Sequence, residues 1–307
     1  MKIAVFGAGG VGGYFGALLA REGHEVHFLA RGEHLIEMQN HGLHIKSPHG
    51  DFDLDRVAAA GSPSDVGQVD YLIVAVKHYD LSPAAPKLLP MVGADTTVVP
   101  LLNGVDAHEI LAETIGDEHL VGGFCALVSM IESPGVIRHE SNLRRVVIGE
   151  LNGQRSERTQ QLIQAWRGCG VEEAVVSEHI LEDMWRKYLF IASLGGIGSL
   201  SQATVGEILT NGETRDILIG AMREVRDVAR AAKIDLPEEA VDEAMAFLKR
   251  FEASATSSMQ RDVASGKRFE LEAFSGYLVR KGRQLHVPTP IHRTIYGALL
   301  PALRRAS

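Results

Sequence analysis

A short apolar run, Lys2-Ile3-Ala4-Val5-Phe6, opens directly into Gly7-Ala8-Gly9-Gly10-Val11-Gly12, and this junction constrains the fold more than any other part of the chain. The run reads as a buried strand. Gly13 to Arg21 is small and apolar enough for a helix packed on a sheet, and His24-Glu25-Val26-His27-Phe28-Leu29 reads as a second strand. Together they form a β-α-β unit whose turn carries G-x-G-x-x-G. Each glycine has its own steric task. Gly7 permits the tight turn, Gly9 lets the backbone approach a pyrophosphate, and Gly12 lets the helix sit close to the strand, with the phosphates at the helix N-terminus. Gly7, Ala8, Gly9, Gly10, Val11 and Gly12 are therefore candidate dinucleotide ligands.

The end of the second strand selects the dinucleotide. A ribose 2'-hydroxyl is usually held there by Asp or Glu, and a 2'-phosphate by the bidentate fork of Arg. The chain has Leu29-Ala30-Arg31 and no acid, so the expected cofactor is NADPH with Arg31 on its 2'-phosphate. The alternative role for Arg31 is a solvated turn residue.

With 307 residues the chain suits two domains, and its net charge of -8 argues against a nucleic-acid or anionic-membrane partner. The two cysteines, Cys125 and Cys169, make no disulfide framework, and the thirteen histidines show no metal-ligand spacing. No metal is implied. The chain begins with a strand of the fold and has no apolar run of membrane length, so a cytoplasmic location is expected.

Asp70 to Lys77 is too apolar to be half exposed, as suits a central parallel strand, and a further strand is expected at Thr97 to Gly104 after a helix near Leu81 to Leu89. Short extended pieces are expected near Leu43-His44-Ile45 and Asp51-Phe52-Asp53, and a helix start at Ser62-Pro63. Strand-like stretches at 121–131, 135–140 and 145–149 are read as an antiparallel extension of the sheet. Beyond Ser177 the period is helical, over 180–200, 214–233, 237–253, 270–285 and 291–303. The expected fold is thus α/β, an N-terminal Rossmann-type doubly wound sheet with an antiparallel extension over 1–176, then an all-α domain over 177–307. A homodimer is one outlet for the apolar face of 270–285, and the domain's own core is the other. Ligands of open α/β sheets bind beyond the carboxyl ends of the strands, where Lys77 and Asn103 are expected.

Taken with Val76-Lys77-x-x-Asp80 and Asn103-Gly104, two further blocks carry a resemblance: Met184-Trp185-Arg186-Lys187, and Ser257-Ser258-Met259-Gln260-Arg261-Asp262 followed by Glu270. In this order and spacing the chain resembles the ketopantoate reductases (2-dehydropantoate 2-reductases), which make pantoate for coenzyme A biosynthesis. The resemblance covers nearly the whole chain. It implies NADPH on Gly7–Gly12 and Arg31, with Lys77 and Asn103 lining the cleft and Asn103 also reaching substrate. It makes Lys187 the proton donor, Ser258 the holder of the substrate carboxylate, and Glu270 an acid touching cofactor. Hydride addition to a 2-keto acid builds negative charge on the carbonyl oxygen, so a positioned ammonium stabilises it and supplies the proton. Partial desolvation that lowers the Lys187 pKa would suit that role.

The chain departs from the family pattern in one place. The reductases it resembles carry asparagines four and eight residues after the lysine, and one further along, which bind polar groups of the substrate. Here these positions are Ile191, Gly195 and Val205. A substrate hydroxyl buried against Ile191 without a partner would cost about 1–3 kcal/mol. The expectation is a more apolar and wider pocket, Gly195 leaving space, with Ser193 or Ser199 able to restore a polar contact if the helix is rotated or broken at Gly195-Gly196. Ketopantoate remains the leading substrate. The alternatives are a D-2-hydroxyacid dehydrogenase acting on branched or aromatic 2-keto acids, and a non-catalytic NADPH-binding sensor, although a sensor would be expected to lack Lys187.

Overall fold

The computed structural model describes residues 1–306. The chain forms two compact units, Met1–Ile180 and a second beginning at Leu181. The first unit runs β1 (Lys2–Phe6), α1 (Gly10–Arg21), β2 (Glu25–Leu29), α2 (Gly32–His41), β3 (Leu43–Lys46), β4 (Phe52–Leu54), β5 (Ala58–Ala60), β6 (Tyr71–Val74), α3 (Leu81–Leu88), β7 (Thr97–Pro100) and α4 (Ala107–Ile115). It continues through β8 (Gly122–Ala126), β9 (Ser129–Ser133), β10 (Val136–His139), β11 (Arg145–Gly149), α5 (Glu157–Gly168) and β12 (Ala174–Val176).

The central sheet has the order β5-β2-β1-β6-β7, with every pairing parallel. Its strands read as continuous apolar runs because both faces are covered. Successive side chains alternate between two cores. Ile3, Val5 and Ile73 face a core that includes Phe15 of α1 and Trp166 of α5. Ala4, Leu72 and Val74 face a second core, with Leu81 of α3 and Leu111 of α4. The Trp166 ring is fully buried, edge-on to Phe15 at 5.9 Å between centroids.

The later strands differ from the expected antiparallel extension. They form two small mixed sheets, β4-β3-β10-β9 and β12-β11-β8, in which β10 pairs parallel with β3 and β11 parallel with β12. The second approaches the central sheet through a Val98–Leu120 bridge. The segment at Ser62 is a single 3-10 turn, Pro63–Asp65, with the Ser62 hydroxyl accepting from the Ser64 amide.

The second unit is helical: α6 (Ile180–Ser201), α7 (Val205–Thr210), α8 (Gly212–Ala231), α9 (Ala240–Leu248), α10 (Ser258–Ala264), α11 (Tyr277–Gln284) and α12 (Pro290–Ala306). Leu218, Ala221, Met222, Val225 and Val228 recur at helical spacing on α8 and are buried. The helix expected over 237–253 is confined to α9, because the backbone at Ala253 and Ala255 instead accepts the amides of Gly206 and Val205. The helix expected from Glu270 opens with a π-helical turn, Glu272–Gly276. Leu271, Phe274, Tyr277, Leu278 and Val279 are buried, the Phe274 and Tyr277 rings edge-on to Tyr188 of α6. No helix among the described residues is long and apolar enough to cross a membrane.

Candidate active site

The register of the central sheet sets the site of the first unit. Phe6 pairs with both Leu29 and Val74, and Val74 pairs with Pro100, so β1, β2, β6 and β7 end along one line. Just beyond that line come the glycine turn, Arg31, Lys77 and Asn103. The sequence-predicted ligands of this half are thus brought to one sheet edge, beside the strand where the order reverses.

The glycines hold the conformations their tasks require. Gly7 has φ +101°, and a Cβ there would lie 2.9 Å from the Ala75 carbonyl. A Cβ on Gly12 would collide with the Gly7 carbonyl oxygen and meet the Val5 side chain at 2.8 Å, so this residue sets how closely α1 seats on β1. Gly9, the N-cap of α1, has nothing within 4 Å of its Cβ position. Gly7 and Ala8 give their amides to the Leu29 carbonyl, and the first bond of the helix runs from the Gly13 amide to Gly9. The amides of Gly10, Val11 and Gly12 precede that bond, at the positive end of the helix. This open, donor-rich face fits a dinucleotide pyrophosphate.

Arg31 caps α2, and its side chain is 89% exposed, with Nη2 donating to Asp80 Oδ2 at 3.1 Å. Lys77 is exposed and Asn103 half-buried. Their loops are tied by a bond that sequence reading missed, between His78 Nε2 and Asp106 Oδ1 at 2.7 Å. Also missed was His34. Its Nδ1 accepts from the Gly135 amide at 3.0 Å, so Nε2 carries the proton and donates to the Ala8 carbonyl at 2.8 Å. Burial holds this imidazole below its ordinary pKa, the Ala8 bond acting in the opposite direction. The partners of His34 lie 26 and 101 residues away, so no local pattern could have revealed them.

In the helical unit, Lys187 is half-buried on α6, between Trp185 and Tyr188, which are buried. The Trp185 and Tyr188 rings meet edge-on at 5.5 Å, and Tyr188 donates its hydroxyl to the Phe274 carbonyl at 2.6 Å. At about 100° per residue, Ile191, Leu194 and Gly195 fall on the Lys187 side of the helix, while Ser193 and Ser199 lie about 120° to either side. Helix α6 is unbroken from Ile180 to Ser201. The break at Gly195-Gly196 is therefore absent, and both buried hydroxyls lack a hydrogen-bond partner.

A Cβ on Gly195 would stand at ordinary van der Waals distance from the Phe274 ring, 3.5 Å, and from Met259, 3.7 Å, so the place of one methyl group is open beside those side chains. The same contacts bring α10 and the turn after Glu270 against α6. Ser258 stands exposed at the first position of α10, after the cap formed by Ser257 on the Gln260 amide. Glu270 is only 5% exposed, and its carbonyl accepts from the Phe274 amide. Val205 is buried at the start of α7. Among the described residues no cluster of His, Cys, Asp or Glu could hold a metal ion.

A dinucleotide-type α/β unit followed by a helical unit with a lysine on its first helix defines a class, the two-unit oxidoreductases that work with a nicotinamide nucleotide. The chain belongs to the ketopantoate reductase family: the family described as "Ketopantoate reductase PanE/ApbA" matches residues 3–153, and its C-terminal counterpart matches residues 179–302. It is 33% identical over 300 residues to the "Uncharacterized oxidoreductase YkpB" of Bacillus subtilis, covering 97% of this chain and 98% of that one. The crystal structure of 2-dehydropantoate 2-reductase from Geobacter metallireducens GS-15 superposes with a TM-score of 0.90 at 28% identity, covering 100% of both chains. The ternary structure of D-mandelate dehydrogenase with NADH and anilino(oxo)acetate shares the fold, with a TM-score of 0.90 at 22% identity over 100% of this chain and 99% of that one.

Proposed function

We propose that the protein reduces a 2-keto acid to the 2-hydroxy acid with NADPH, 2-dehydropantoate being the leading substrate and Lys187 the proton donor. The observation that carries this reading is the common edge formed by the glycine turn, Arg31, Lys77 and Asn103. The amides of Gly10 to Gly12 and the open face of Gly9 would hold the pyrophosphate, and Arg31, already oriented by Asp80, would take the 2'-phosphate. Nicotinamide, when bound, supplies the hydride to the keto carbon. The ammonium of Lys187 gives its proton to the carbonyl oxygen as negative charge builds there, and Ser258 receives the carboxylate. Asn103 reaches substrate and cofactor, and Glu270 helps to fix the geometry around the cofactor.

A second reading rests on the Lys187 side of α6, where Ile191 and Leu194 offer no hydrogen bond. A site without such groups loses its discrimination for a hydroxylated side chain, which favours a branched or aromatic 2-keto acid. Steady-state kinetics with ketopantoate, 2-ketoisovalerate and phenylpyruvate, each with NADPH and NADH, test both readings. The leading one expects turnover with NADPH and the highest kcat/KM for ketopantoate; a reversal toward phenylpyruvate establishes the second. Equal use of NADH would remove the role given to Arg31.

A further inference from the structure

We propose that the β9–β10 hairpin is a lock on the phosphate-binding turn, with Ser129 and His34 as its positioning residues; this rests on the nucleotide reading above. The Ser129 hydroxyl donates to the Gly10 carbonyl at 2.7 Å. At the hairpin's other end, the Gly135 amide holds His34, whose Nε2–H grips the Ala8 carbonyl. The hairpin also accounts for two glycines that the strand–turn–helix geometry leaves unexplained. A Cβ on Gly10 would collide with the Ser129 carbonyl oxygen, and one on Gly13 would meet Ile137 of β10 at 2.9 Å.

The two anchored carbonyls matter because a peptide unit is planar and, among the described residues, always trans. Its C=O and N–H therefore point in opposite directions. Holding the Ala8 carbonyl toward His34 aims the Gly9 N–H the other way, and holding the Gly10 carbonyl toward Ser129 aims the Val11 N–H away from the hairpin. Two donors to a diphosphate are thus set before any ligand arrives, which removes an ordering cost from binding. Ser129 and His34 need not touch the nucleotide to act on it.

The test is fluorescence titration of the full chain with NADPH and, as control, with adenosine 2'-monophosphate, which has the 2'-phosphate but no diphosphate. Ser129→Ala and His34→Phe are each expected to weaken NADPH by about fivefold to tenfold, the loss of roughly one oriented hydrogen bond, while adenosine 2'-monophosphate binds as in the wild type. Ser129→Thr, which keeps the hydroxyl, restores the affinity, and at saturating NADPH kcat and the keto-acid KM stay within about twofold. Ser129→Ala is a small change on a partly exposed strand, so it decides the matter even if His34→Phe fails to fold. Unchanged NADPH affinity in Ser129→Ala, or an equal loss for both ligands, overturns the lock. If the wild type binds neither NADPH nor NADH, the nucleotide reading fails first and the lock with it.

Discussion

The chemistry proposed for this chain comes down to one ammonium. Lys187→Ala is expected to lower kcat by about 10²–10⁴-fold, the usual worth of a positioned proton donor, with the NADPH dissociation constant almost unchanged. Stopped-flow turnover beside direct titration checks this, and a parallel loss of nucleotide affinity would show the lysine to be structural. Lys187 and Arg31 could be nominated from the sequence because each combines a telling chemical type with a flanking pattern. His34, Ser129 and the His78–Asp106 pair could not be, since their meaning lies in partners 26, 119 and 28 residues away. The neighbours that border Gly195, Phe274 and Met259, come from distant segments and could not be named from the local pattern.

Among the elements, the turn into α1 offers a sharp contrast between two glycines three residues apart. Gly9→Ala is expected to fold with an unchanged melting temperature, because its φ of -81° suits any residue and its Cβ meets nothing. It should nevertheless lose NADPH affinity, since the methyl group stands where the pyrophosphate approaches. Gly12→Ala drives a methyl group into the Gly7 carbonyl, and such overpacking costs about 1–3 kcal/mol of stability, seen as a lower melting temperature before any ligand is added. If both variants melt alike, the steric division between them is wrong. The first β-α-β unit and the buried strands β6 and β7 were readable from continuous apolar runs. Helices α4 and α5 escaped notice, and α5 has an evident cause. Only Leu162, Ile163 and Trp166 mark its buried apolar stripe, and its start depends on the Ser156 cap.

At the scale of the whole molecule, stability is tied to pH through the core of the helical unit. Burial holds the His292 imidazole at a pKa of about 4, with the Ala221 carbonyl acting in the opposite direction. Its Nδ1 shares a hydrogen bond with Ser275. An unfolded histidine takes up a proton near pH 6.5 and the folded one does not, so stability is full above that value and falls as pH drops toward 4, by up to about 3 kcal/mol. Glu224, which accepts the Ile291 and His292 amides, acts in the opposite direction, since burial raises its pKa. Its contribution is present below the ordinary carboxylate value and lost as pH rises through the folded one. Urea midpoints at pH 7 and pH 4.5 should therefore converge in His292→Gln relative to the wild type, and an identical drop in both would dismiss the histidine as the cause. The chain has two tryptophans, and they fall one to each unit, Trp166 beneath the sheet and Trp185 two residues before Lys187. Replacing either by phenylalanine leaves a single indole whose emission reports on its own half, so the question of whether the halves melt as one body or in sequence has an optical answer written into the native chain.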